Sequence, residues 1–266
     1  MPSPLTDPSP ILALVREGPF GLIADLDGTI SPLTRTPAEA TVRPACRRHL
    51  EAIAARAALV AVVSGRTAEE VRRIVGLDDV VCVGLHGFSL SMPPAWSEAA
   101  VATYSVMARS VLEELRRTLT ISGIVFEDKG PLMAFHYRPT ADPPAARQAI
   151  LDAIAAAPMG RRFAIHEGKM FVELRPPVPS VNKGAAVRHL AAQHRLHSVV
   201  CLGDDVTDID AFHAVRESAD VRGLSVVVAS AETPPEVLEA ADYRLEGVDR
   251  VEWLLGEVAS ALGAQP

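Results

Sequence analysis

The chain has 266 residues, 48% of them hydrophobic and 22% charged, with a formal net charge of -7. That length buries a sizeable core, either one large domain or a core with a smaller companion. The acidic balance argues against nucleic acid or an anionic membrane as partner, so an anionic substrate would need positive groups placed locally.

The opening MPSPLTDPSP lacks the basic start and apolar run of a signal peptide, and its prolines predict a frayed tail. No apolar stretch approaches the ~20 residues needed to span a bilayer. Short apolar runs follow, at Phe20–Ala24, Leu59–Val63, Val80–Val83, Val199–Leu202 and Leu224–Val228. They are rich in Val, Ile and Leu and barely alternate, as strands buried on both faces do. Helical patterns separate them, at Pro44–Ala55, Ala68–Val75, Ala185–Gln193 and Ala211–Val215. Strands alternating with helices predict a parallel, doubly wound α/β sheet.

One interval breaks the rhythm. Between about Ser97 and Arg175 a helix (Glu98–Leu119) precedes two strand-like runs (Gly123–Glu127, Leu132–Tyr137). A second helix (Pro144–Ala156) then precedes two more (Arg162–His166, Met170–Leu174). Helix–strand–strand, twice, is a small α+β unit, and Pro93–Pro94 and Pro176–Pro177 punctuate its ends. We expect an inserted domain at 97–176, with 1–96 and 177–266 forming the sheet domain. The cysteines, Cys46, Cys82 and Cys201, show no metal-ligand spacing. They are expected as buried small hydrophobes in a reducing, cytoplasmic compartment.

Four clusters of polar residues fall at strand C-termini, where open α/β sheets bind ligands. Asp25-Leu26-Asp27-Gly28-Thr29 follows Phe20–Ala24, and residues i and i+2 of a strand share a face, so Asp25 and Asp27 can converge. Two carboxylates that close repel unless a cation or a proton intervenes, and Mg²⁺ with its preference for hard oxygen would serve. Ser64-Gly65-Arg66 precedes Thr67 and Glu70, spaced as a capping box; a helix N-terminus there offers N–H groups to an anion, Ser64 a hydroxyl and Arg66 a charge. Asn182-Lys183-Gly184 sets a lysine at the next helix start, able to neutralise phosphate as a point charge. Gly203-Asp204-Asp205-Val206-Thr207-Asp208 supplies acids for a hard cation, with Thr207 and Asp210 spaced as a further capping box. Together these are the parts that phosphoryl transfer needs: an in-line nucleophile, a metal to screen charge and donors for the equatorial oxygens.

In this order the four clusters resemble the motifs of the haloacid dehalogenase superfamily. The closer resemblance is to trehalose-6-phosphate phosphatases. It rests on Ser64-Gly65-Arg66, Glu127-Asp128-Lys129-Gly130 with His136-Tyr137-Arg138, Gly168-Lys169-Met170 with Glu173-Leu174-Arg175-Pro176, Asn182-Lys183-Gly184 and the Asp204–Asp208 cluster. The resemblance implies a Rossmann-like core with an inserted cap of two α-β-β units, and Mg²⁺-dependent hydrolysis of trehalose 6-phosphate through an aspartyl-phosphate. Asp25 would be the nucleophile and Asp27 the general acid and base. Ser64 and Lys183 would hold the phosphoryl oxygens. The metal would sit on Asp25, the Asp27 carbonyl, Asp204 and Asp208. Arg66, Glu127, Lys129, Arg138, Lys169 and Glu173 would contact substrate.

Three alternatives stay open at this point: a phosphatase of another glycosyl phosphate such as sucrose phosphate, a phosphosugar mutase, and a non-catalytic sugar-phosphate sensor. Mutases of the superfamily usually carry their lid between the first two motifs, and Asp25 to Ser64 is too short an interval for one. A synthase that makes the sugar phosphate is expected as a separate chain.

Overall fold

The computed structural model describes residues 2–34, 37–90, 92, 96–168, 170–231 and 233–263. The first stretch runs β1 (Ser3–Pro4), α1 (Ser9–Val15), β2 (Phe20–Ala24), α2 (Pro44–Ala54), β3 (Leu59–Val63), α3 (Ala68–Val75) and β4 (Val81–Val83). Next come α4 (Glu98–Thr118), β5 (Val125–Asp128), β6 (Met133–His136), α5 (Pro143–Ala156), β7 (Ala164–Gly168) and β8 (Phe171–Arg175). The chain ends with α6 (Lys183–Gln193), β9 (Ser198–Gly203), α7 (Ile209–Arg216), β10 (Arg222–Ala229), α8 (Pro235–Ala240), β11 (Tyr243–Glu246) and α9 (Val248–Ala261). Two compact units result, Met1–Leu90 with Val181–Pro266, and Ser91–Ser180. No helix among the described residues is long and apolar enough to cross a membrane.

The first unit is a seven-stranded sheet in the order β1-β11-β10-β9-β2-β3-β4, with every pair parallel. All five residues of β2 and of β3 are buried, which explains their unbroken apolar character. One sheet face, through Leu22, Val62, Val200 and Val226, packs on α1, α2, α3 and α9. The other, through Ile23, Ala61, Cys201 and Val227, packs on α6, α7 and α8. Chain order reverses between β2 and β9, and that switch point is where such sheets open a crevice.

The second unit is a four-stranded sheet in the order β5-β6-β8-β7, antiparallel throughout. Its apolar face, with Met133, Phe135, Val172 and Leu174, is covered by α4 and α5 through Val111, Leu115, Ile150 and Ile154. The architecture is thus the α/β core with an α+β insert that the sequence predicts. Pro93 and Pro94 lie outside the described residues.

Two local expectations are corrected. The N-terminal segment does not fray: Ser3 and Pro4 pair with Tyr243 and Arg244 of β11, and Leu5 is buried. Proline is tolerated there because an edge strand needs donors on one side only. The capping box after β9 is formed by Asp205 and Asp208, not by Thr207 and Asp210. A 3₁₀ turn over Val206–Asp208 intervenes before α7 and moves the cap back by two residues. The Thr67–Glu70 box forms as expected.

Candidate active site

The site of the first unit is built by strand adjacency. In the β2–β9 ladder Ala24 is paired with Leu202, and the Asp25 N–H continues it, donating to the Leu202 carbonyl at 2.9 Å. The residues just past these two strands, Asp25 and Asp204, are therefore neighbours although 179 positions separate them. Gly28 makes the approach feasible. Its φ is +83°, and a Cβ there would lie 2.2 Å from Asp204 Oδ2, so neither the backbone nor the space admits a larger residue. Asp208 is folded back by its own cap, its Oδ2 accepting from the Asp204 and Asp205 N–H groups at 3.1 Å each. One oxygen from each of Asp25, Asp204 and Asp208 lies within 4.8 Å of the others.

Lys183 enters this cluster from the first turn of α6, whose N-cap is Asn182. Its Nζ donates to Asp25 Oδ1 and to Asp208 Oδ1, each at 2.7 Å, and all three side chains are buried. Three carboxylates against one ammonium leave two formal negative charges, which one divalent cation neutralises. Oxygen-only donors at this spacing suit a small, hard ion such as Mg²⁺. Repulsion between two such carboxylates is worth about 3 kcal/mol or more at an effective dielectric near 20.

The acid–base behaviour follows from burial and that repulsion. Burial first, then Asp208 and Asp27, push Asp25 up to about 7 against the pull of Lys183. Burial together with Asp25 and Asp208 pushes Asp204 up to about 9. Burial works against the Lys183 ammonium, but Asp208 and Asp25 hold it well above the usual lysine range. Burial also raises Cys201, beneath the cluster, far above the usual thiol range, so it is inert packing.

Three further predicted residues, Ser64, Arg66 and Asp27, lie at the ends of β2 and β3. Ser64 is buried, and its Oγ accepts from the Arg66 N–H at 3.3 Å. The Arg66 guanidinium meets the Asp27 carboxylate with two parallel bonds, Nε to Oδ2 at 2.6 Å and Nη2 to Oδ1 at 2.7 Å. The Asp27 side chain is thus not part of the three-carboxylate cluster.

In the second unit, the sheet face opposite α4 and α5 carries a separate charged group. Glu173 on β8 is 1% exposed. It accepts from Lys129 Nζ at 3.0 Å and pairs with Arg175 through its other oxygen. Glu127 on β5 accepts from His136 Nε2 at 2.7 Å and lies 3.5 Å from Lys129. Burial opposes both charges, yet His136 and Lys129 hold Glu127 below the ordinary carboxylate range, and Glu173 and Glu127 hold Lys129 above the lysine range. The structure thus brings Glu127, Lys129 and Glu173 together. It leaves Arg138 exposed beyond β6, with no ion pair to them among the described residues. Lys169 lies outside the described residues. His136 and Arg175 were not singled out as site residues. For Arg175 the available signal is its i+2 spacing from Glu173 on the same sheet face.

Comparison with known proteins identifies the family. The model of the trehalose-phosphatase family matches residues 23–249. The Trehalose-phosphate phosphatase of Mycobacterium marinum is 32% identical over 246 residues, covering 90% of this chain and 61% of that protein. The chain therefore spans about three-fifths of the length of such curated relatives. Among solved structures, the C-terminal domain of Candida albicans trehalose-6-phosphate phosphatase superposes with a TM-score of 0.74 at 20% identity, covering 97% of this chain and 98% of that one. The sucrose-phosphatase of Synechocystis shares the fold at a TM-score of 0.52 and 18% identity, covering 93% and 99%. With its motifs placed at the strand ends and the family match spanning both units, this chain belongs to the trehalose-phosphatase family.

Proposed function

We propose that the chain is a Mg²⁺-dependent phosphatase that hydrolyses trehalose 6-phosphate to trehalose and phosphate through an aspartyl-phosphate. The observation that carries this reading is the buried Asp25–Lys183–Asp208 arrangement, with Asp204 within reach of both acids. Lys183 holds one oxygen of Asp25 and leaves the other to attack phosphorus. The ammonium is then poised to stabilise charge on the transferred group. The Ser64 hydroxyl, beside the N-terminal end of α3, holds a phosphoryl oxygen. Asp27 gives its proton to the departing sugar oxygen as the P–O bond breaks. It then takes a proton from the water whose oxygen displaces Asp25. Asp25, Asp204, Asp208 and the Asp27 carbonyl would hold Mg²⁺, which when bound screens the negative charge of nucleophile and phosphate.

Sugar selection is assigned to Glu127, Lys129 and Glu173, with Arg138 and Lys169 as further substrate contacts. A site of buried, mutually paired charges rejects sugars that fail to replace those partners, since an unpaired buried polar group costs about 1–3 kcal/mol. The test is a panel of trehalose 6-phosphate, sucrose 6-phosphate and glucose 6-phosphate, with phosphate release as readout. Trehalose 6-phosphate should lead in kcat/KM by at least about tenfold, near 1.4 kcal/mol of transition-state discrimination. A flat profile would sink the sugar assignment. Turnover retained by Asp25→Asn would sink the nucleophile.

A further inference from the structure

We infer that Arg66 is a positioning residue for Asp27, holding that side chain in the one orientation from which it serves the departing sugar oxygen. This deepens the reading above and rests on its assignment of Asp27 as general acid and base.

Asp27 stands on the turn after β2, one residue before a glycine with φ +83°, and its side chain is 29% exposed. Among the described residues, no bond from that turn to its side chain fixes its rotamer. The fork of Arg66 does, because two parallel bonds to Oδ1 and Oδ2 set both the position and the plane of the carboxylate, which a single point contact cannot do. A carboxyl group has roughly four lone-pair directions and the fork uses two, leaving another to carry the proton that passes to the leaving oxygen and later to accept one from water.

Arg66 is itself firmly placed. Its N–H donates to Ser64 Oγ, and its carbonyl accepts from the Leu85 N–H at 2.7 Å. The next residue, Thr67, is the capped start of α3. Leu85 and His86, which bring the neighbouring loop onto this segment, both hold positive φ, +56° and +54°. Non-glycine residues stay in that region only where the surroundings over-determine them. The segment from Ser64 to Thr67 is therefore anchored on both sides. A long, 12% exposed side chain on such a base is suited to hold another residue still, rather than to follow a ligand.

The test compares two leaving groups through kcat/KM, which covers only steps up to formation of the phospho-enzyme. One substrate is the preferred sugar phosphate from the panel, whose alkoxide must be protonated as it departs. The other is p-nitrophenyl phosphate, whose phenolate leaves without a proton. Asp27→Asn should cost about a hundredfold on the sugar phosphate, within the usual range for general acid catalysis, and only a few-fold on the aryl ester. Arg66→Ala should lose at least about tenfold more on the sugar phosphate than on the aryl ester. Arg66→Lys should show the same selectivity, because an ammonium keeps the charge but not the fork, and it covers the case in which the alanine variant folds poorly. Adding Arg66→Ala to Asp27→Asn should remove little more. Equal losses on both esters in the Arg66 variants would overturn the inference, since they mark a cation acting on the phosphoryl group that both share. If Asp27→Asn itself shows no leaving-group selectivity, the general-acid assignment fails and takes the positioning role with it.

Discussion

Replacing Asp204 by asparagine should make the metal-free protein more stable while removing its response to Mg²⁺. Asp204 adds a third carboxylate to a pair that Lys183 already bridges, and no cation of the protein bonds to it directly among the described residues. Its folded pKa stands near 9 against an ordinary value of 3.8. Between those limits the folded state binds more protons than the unfolded one, so metal-free stability falls as pH rises through that window. At about 1.4 kcal/mol per unit the linkage reaches roughly 6 kcal/mol by pH 8. Asparagine still bears a desolvation penalty of about 1–3 kcal/mol. The net gain expected for Asp204→Asn is therefore about 3–5 kcal/mol at pH 8, shrinking toward pH 5. Urea denaturation in EDTA measures it. Excess Mg²⁺ at about 100 times its Kd should stabilise the wild type by about 2.7 kcal/mol and leave the variant unmoved. A variant less stable than wild type in EDTA at pH 8 would refute the reasoning.

Three further outcomes follow from the same geometry. Lys183→Met leaves two buried carboxylates facing each other and should destabilise the metal-free protein by about 3–5 kcal/mol; a change below 1 kcal/mol in the same denaturation assay would contradict the bridge. Mg²⁺ must displace protons from Asp25, near 7, and from Asp204, near 9, so its affinity should strengthen from about pH 6 to pH 9 with proton release. Calorimetry in buffers of different ionisation enthalpy reads that release, and a buffer-independent heat would count against it. Glu173→Ala strands Lys129 and Arg175 without their shared partner and should raise KM for the sugar phosphate well above its effect on kcat; an unchanged KM would remove Glu173 from sugar selection.

Much of this was legible in the sequence, for reasons that mark where such reading stops. The runs Phe20–Ala24, Leu59–Val63 and Ala68–Val75 coincide with β2, β3 and α3 to the residue, because a strand buried on both faces is uniformly apolar and a capping box fixes a helix start. Five elements away from the motifs were missed: β1, β11, α1, α8 and α9. β1 is too short to carry a pattern, β11 mixes charged and apolar residues over four positions, and α1 and α8 open on prolines that read as loop. For α9 the signal was present, with buried Val251, Leu254, Leu255 and Val258 at helical spacing. Pairing is the harder matter. That Asp25 and Asp204 meet depends on β2 lying beside β9, a property of strand order that no local pattern encodes. The fork between Arg66 and Asp27 and the bond between His136 and Glu127 likewise join residues from different strand ends or different strands.

The two-residue strand β1 has a consequence for how the molecule behaves among its copies. Ser3 and Leu5 turn their N–H groups toward β11, so the alternate positions, Pro2 and Pro4, face away from the sheet. Those are the places where an incoming strand would look for donors, and proline has none to give. A fringe that would otherwise invite another β-strand is thereby closed to it. Losing these first few residues would uncover β11 and leave an open edge on which another strand could pair.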